Sequence, residues 1–171
     1  MQKHDGDEEA FRALRLRPAT SEDEPFLMNL FATTRANELA LLNCDEHQKK
    51  AFIAMQFNAQ SRQYVMSYPN AHHSIILWHG APIGRLLLNR GECEFTLVDV
   101  ALLAEYRNAG IGTGLIQDLL KEAATLGRPV RLHALTTSAA VRLYERLGFS
   151  RVGADAVYME MIWLPPVPKS R

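Results

Sequence analysis

The residues whose types and spacing could do chemistry lie between Leu97 and Leu115. The run opens apolar and rich in β-branched residues, as a buried strand should. It breaks at Ala104–Glu105–Tyr106, passes through Arg107–Asn108–Ala109–Gly110–Ile111–Gly112, and becomes a helical pattern from Thr113 to about Leu126. A strand, a glycine-containing loop and a helix start, in that order, make a site for an anion. The first N–H groups of a helix have no partner inside it, and the helix dipole places partial positive charge there. Gly110, Gly112 and Gly114 allow a sharp turn and let those N–H groups approach a phosphate with no Cβ in the way. Arg107 adds a fixed cation at the mouth.

Two familiar phosphate loops do not fit. The spacing is not G-x-G-x-x-G, and the strand expected after the helix ends Leu132–Thr136 with no acid to take a ribose hydroxyl. No Gly–Lys–Ser/Thr occurs, so a Walker loop fails as well. Asp99 is the only acid between Phe95 and Ala104 in an otherwise apolar run. A carboxylate there is costly unless paired or hydrogen-bonded, so it marks either a group facing an amine or a structural partner.

The elements that must position these residues follow from periodicity and breakers. A short strand from Phe11 ends before Pro18, and Thr20–Ser21 with acids behind them start a helix that runs to about Asn43–Asp45. A second helix spans about Glu46–Ser67, with Met55, Phe57 and Tyr64 near helical spacing as core or pocket lining. Ser74–Trp78, Pro82–Leu88 and Glu92–Leu102 read as strands, and the succession Leu86–Leu87–Leu88 implies burial on both faces. After the central helix come the strand Val130–Leu135 and a short helix, Ala139–Leu147, closed by Gly148. A hairpin, Phe149–Val152 with Val157–Trp163, ends the pattern. The tally predicts an α/β (α+β) fold: a mixed, mostly antiparallel sheet of about seven strands with about four helices.

The chain is long enough for one ordinary domain, expected over 11–163 between a leader, 1–10, and a Pro-rich tail, 164–171. Lys plus Arg and Asp plus Glu number 19 each, so no overall field favours nucleic acid or an anionic membrane. No stretch of 18 apolar residues occurs, and the acidic start is no signal peptide. Cys44 and Cys93 form no disulfide framework and match no metal spacing, which predicts buried free thiols in a reducing cytoplasm. His72, His73 and His133 have no metal-like partners, so no metal is expected.

Arg107–Gly112 matches an R/Q-x-x-G-x-G/A loop, and Ala140–Phe149, A-V-R-L-Y-E-R-L-G-F, matches A-x-x-L-Y-x-x-L-G-F. Both resemble motifs of the GNAT superfamily, the acetyl-coenzyme-A-dependent N-acetyltransferases, and the order of elements agrees from Phe11 to Trp163. The resemblance implies that the amides of Arg107, Asn108, Ala109, Gly110, Ile111, Gly112 and Thr113 hold the pyrophosphate of acetyl-coenzyme A. It implies a bulged strand whose backbone groups at Val100 and Leu102 bind the acetyl carbonyl and the pantetheine amides. Tyr144 matches the tyrosine that points at the sulfur, a candidate acid for the leaving thiolate. Asp99 matches a position that faces the substrate amine in polyamine-type members, as base or amine-binding residue.

Two departures from the superfamily stand out. Thr96 replaces a frequent glutamate, which leaves Glu94 as a second candidate base, and Ser138 replaces an asparagine before the tyrosine helix. Serine can still cap that helix and reach the pantetheine arm. The resemblance thus implies transfer of an acetyl group to a primary amine, a small molecule or a peptide N-terminus, by direct attack in a ternary complex. The alternative is a non-catalytic acyl-coenzyme-A-binding module of the same fold. Homodimers through the last strands are common in that superfamily.

Overall fold

The computed structural model describes residues 14–166; the expected leader, the Phe11 start of the first strand and 167–171 of the tail lie outside the described residues. In chain order the elements are β1 (Leu14–Pro18), α1 (Glu24–Thr34), α2 (Ala36–Ala40), α3 (Glu46–Ser67), β2 (His72–Trp78), β3 (Ala81–Arg90), β4 (Phe95–Leu102), α4 (Ile111–Thr125), β5 (Val130–Leu135), α5 (Ala140–Arg146), β6 (Ser150–Ala154) and β7 (Tyr158–Trp163). The seven strands form a mixed sheet in the order β1-β2-β3-β4-β5-β7-β6. The β4–β5 pair is parallel, whereas β1–β2, β5–β7 and β6–β7 are antiparallel.

Five helices stand where about four were expected, because the first one divides at Arg35. The hydroxyls of Thr33 and Thr34 donate to the carbonyls of Leu30 and Phe31, both at 2.7 Å. Such back-bonding competes with the next helical turn, and Arg35 leaves helical geometry at φ −114°, ψ 15°.

The described residues make two compact units: one built from 14–87 with Asp99–Arg107, the other from Leu88–Val98 and 108–166. In the first, Leu27 and Phe31 of α1 join Ile53 and Phe57 of α3 and Ile75 of β2 in one buried cluster. The rings of Phe31 and Phe57 meet edge-on, 5.8 Å between centroids. Full burial of such side chains contributes roughly 1.5–3 kcal/mol each. In the second unit, Phe95, Ile116, Val130, Leu132 and Met161 are fully buried. The apolar stripe Ile111, Leu115, Ile116, Leu119, Leu120 and Ala123 is the buried side of α4. As expected, Leu86, Leu87 and Leu88 are all buried.

The helix ends are closed by their own chemistry. Gly148, at φ 92°, lets Phe149 N–H reach the Tyr144 carbonyl and its own N–H reach Glu145, a Schellman closure of α5. This closure holds the tyrosine turn at a fixed exit.

Candidate active site

The β4–β5 ladder runs only from Phe95↔Val130 to Leu97↔Leu132. Val100 and Leu102 lie beyond its last pair. Past the strand, Leu103 N–H donates to Ile83 O at 2.8 Å, and a 3₁₀ turn, Ala104–Tyr106, redirects the chain. Asn108 at φ 60° and Gly110 at φ 81° take left-handed geometry, which asparagine tolerates and glycine adopts without a Cβ penalty.

The helix begins two residues before its expected start. Its first backbone bond, Gly114 N–H to Gly110 O, is 2.9 Å long. The N–H groups of Ile111, Gly112 and Thr113 therefore have no partner inside α4. A Cβ built on Gly112 would meet nothing within 4 Å, so open space adjoins those donors. That is the arrangement a phosphate needs. The Arg107 side chain folds back, with Nε donating to Leu102 O at 2.8 Å. One of the two carbonyls expected to serve pantetheine thus already accepts one hydrogen bond and keeps a second lone pair.

Asp99 is paired. Arg85 Nε donates to its Oδ2 at 2.7 Å, and Arg85 Nη2 makes a second, very short bond to the same oxygen. Arg85 Nη2 also donates to Gln60 Oε1 at 2.9 Å, and the guanidinium lies 5.6 Å from the Tyr64 ring centroid. Sequence reasoning missed Arg85 and Gln60. The signal for Arg85 was present: it is the only charged residue in the run Pro82–Leu88, as Asp99 is in its own. Two lone, opposite charges on neighbouring buried strands should seek each other.

The α3 residues divide differently from expectation. Phe57 is buried and Tyr64 half-buried, but Met55 is 62% exposed and takes no part in the core. His73 is half-buried, and burial first, then the nearby Arg85 charge, holds its pKa below the usual histidine value.

In the second unit, Tyr144 is buried in α5 with its ring edge-on to Phe149 at 5.6 Å. Ser138 Oγ accepts from Ala140 N–H at 3.2 Å, but the N-cap position of that helix is Ala139, one residue later than the expected serine cap. Glu94 is engaged by Arg131, whose Nε lies 3.2 Å from both carboxylate oxygens, while Arg131 Nη1 pairs with Glu160. Arg131 on β5 is thus shared between Glu94, just before β4, and Glu160 on β7, and this structural pairing weakens the case for Glu94 as a base. The expected burial of both thiols does not hold: Cys44 is half-buried and Cys93 exposed. Among the described residues no group of three His, Cys, Asp or Glu could hold a metal ion, and no helix is long and apolar enough to cross a membrane.

The left-handed turn at Gly110 and the open start of α4 are suited to an anion. The acetyltransferase (GNAT) family matches residues 33–149, more than half of the chain, and the chain belongs to that family. Its fold is similar to that of the PaiA N-acetyltransferase of Thermoplasma acidophilum, solved in complex with coenzyme A, at TM-score 0.66 and 17% identity over 88% of this chain and 98% of that one. An acetyltransferase of Thermus thermophilus aligns at TM-score 0.65 and 14% identity over 89% and 97% of the two chains. One from Streptococcus agalactiae aligns at 0.61 and 16% over 90% and 99%. No significant match to a curated protein was found.

Proposed function

We propose that this protein transfers an acetyl group from acetyl-coenzyme A to a primary amine, by direct attack in a ternary complex. The observation that carries the reading is the open start of α4: three consecutive N–H groups beside a glycine whose missing Cβ leaves room for a phosphate. Acetyl-coenzyme A, when bound, supplies an activated thioester. The amides of Arg107–Thr113 are the residues to hold its pyrophosphate, and the backbone groups of Val100 and Leu102 its acetyl and pantetheine ends. The Ser138 hydroxyl, which accepts from Ala140, keeps its own proton to donate to the pantetheine arm.

Asp99 receives the amine through the oxygen that Arg85 leaves untouched. Its other oxygen carries two guanidinium bonds, so a proton taken up there would cost the ion pair. Amine binding is therefore its role in this reading, and water takes the amine's proton. Tyr144 gives a proton to the departing sulfur from its hydroxyl. No side chain is acylated. The free cysteines suit a reducing compartment, the cytoplasm.

The test has two parts on one preparation. Calorimetry should show acetyl-coenzyme A binding at one site, and thiol release should accelerate when a panel of primary amines is added. Binding without amine-dependent thiol release would replace the enzyme reading with that of a non-catalytic module.

A further inference from the structure

We infer that Arg85 determines which amines are accepted: by neutralising Asp99 it favours acceptors with a single ammonium over diamines and polyamines. The inference rests on the reading of Asp99 as the amine-binding carboxylate. Arg85 is the deeper partner, its side chain 7% exposed against 24% for Asp99. Both guanidinium bonds fall on Oδ2, which leaves Oδ1 outside the ion pair with Arg85. Asp99, the more exposed partner, keeps carboxylate lone pairs that suit an N–H donor, while the pair as a whole carries no net charge.

The guanidinium is held from three directions: by Asp99, by Gln60 and by the Tyr64 ring. The surroundings do not restore a negative field. Arg17 and Asp23 form their own ion pair, and His73, held below its usual pKa by burial and by Arg85, is neutral at pH 7. A lone aspartate would attract every ammonium an acceptor carries. Here the first ammonium finds a hydrogen-bond acceptor and brings the neutral pair to a net charge of plus one, which repels a second ammonium. Discrimination of this kind comes from the repulsive element as much as from the attractive one.

The test compares kcat/KM for butylamine, 1,4-diaminobutane and spermidine in the full chain and in three variants. Arg85→Gln removes the positive charge, and Gln60→Glu adds a negative one beside it in nearly the same shape; each gives the cluster a charge of minus one. The wild type should prefer butylamine. Each of these two variants should shift the ratio toward the diamine by about tenfold, the scale of one uncompensated charge near an ammonium. Arg85→Lys, which keeps the charge, should retain the wild-type preference. If Arg85→Gln does not fold by circular dichroism, Gln60→Glu decides alone. A ratio moved less than threefold in a folded variant, or a wild type that prefers the diamine, overturns the assignment of Arg85 only. Acetyl-coenzyme A binding with no transfer to any amine overturns the transferase reading itself, and this inference with it.

Discussion

Arg85 places both of its bonds to Asp99 on one oxygen, Oδ2, and is the more buried member of the pair. A buried guanidinium with a partly exposed carboxylate above it orients that carboxylate as firmly as a second strand would. It also means that any change at Asp99 has two consequences to separate, one for its proposed role with the acceptor and one for Arg85.

Asp99→Asn separates them. If Asp99 holds the amine, turnover should fall by about 10²-fold or more, with acetyl-coenzyme A affinity nearly unchanged. The variant should also lose about 1–3 kcal/mol of stability, because the buried guanidinium loses its charged partner. A lower melting temperature with normal turnover per folded molecule would leave Asp99 a structural role alone. Kinetics and melting on one preparation decide.

Tyr144→Phe keeps the ring and its edge-on contact with Phe149. A packing tyrosine would lose at most one hydrogen bond, about 1 kcal/mol. A proton donor to the departing thiolate should cost about 10² to 10⁴ in the chemical step. Single-turnover kinetics at saturating amine measures that step, since product release can mask it in steady state. A drop below about threefold would end the acid assignment.

Gly112→Val tests the anion site. Nothing lies within 4 Å of a Cβ there, so the fold should tolerate the side chain. The same side chain occupies the space proposed for phosphate, and acetyl-coenzyme A affinity should drop by at least about tenfold, or about 1.4 kcal/mol. Unchanged affinity by calorimetry in a folded variant would sink the site.

Gly84→Ala should act on stability instead. A Cβ at Gly84 would sit 2.3 Å from Ala101 O and 2.8 Å from Leu102 Cδ2, so the end of β4 must move. Overpacking of this kind typically costs about 1–3 kcal/mol. Urea titration should show a lowered midpoint, and the shifted β4 backbone should weaken acetyl-coenzyme A binding as well.

Asp23 governs an acid limb. Its carboxylate accepts from Arg17 and from Thr20 N–H, and these bonds hold its pKa far below the usual aspartate value. The native state therefore binds fewer protons than the unfolded chain at mildly acidic pH, and stability rises with pH there. The contribution is complete above the unfolded value, about 4, and is lost as pH falls below it toward the native value. Melting temperatures from pH 2 to 6 should show a steep acid loss in the wild type and a shallower one in Asp23→Asn.

Local signals in the chain specified what depends on near neighbours. The central helix to within two residues of its start, the left-handed exit at Gly148 and the burial of Leu86–Leu88 were all legible, because each rests on residues within a turn or on an unbroken apolar run. The left-handed turn at Gly110 was legible for the same reason: the glycines that allow it lie within a few residues of one another. What tertiary structure decided lies across the sheet. Asp99 announced itself as a charge in need of a partner, but Arg85 is 14 residues away and Gln60 a further 25. Only strand order and the packing of α3 bring the three together. Likewise the fold-back of Arg107 onto Leu102 and the end of the β4–β5 ladder at Leu97 depend on where a strand parts from its neighbour. A one-residue shift of register would send each of these side chains to the opposite face, and register is settled by the assembled core.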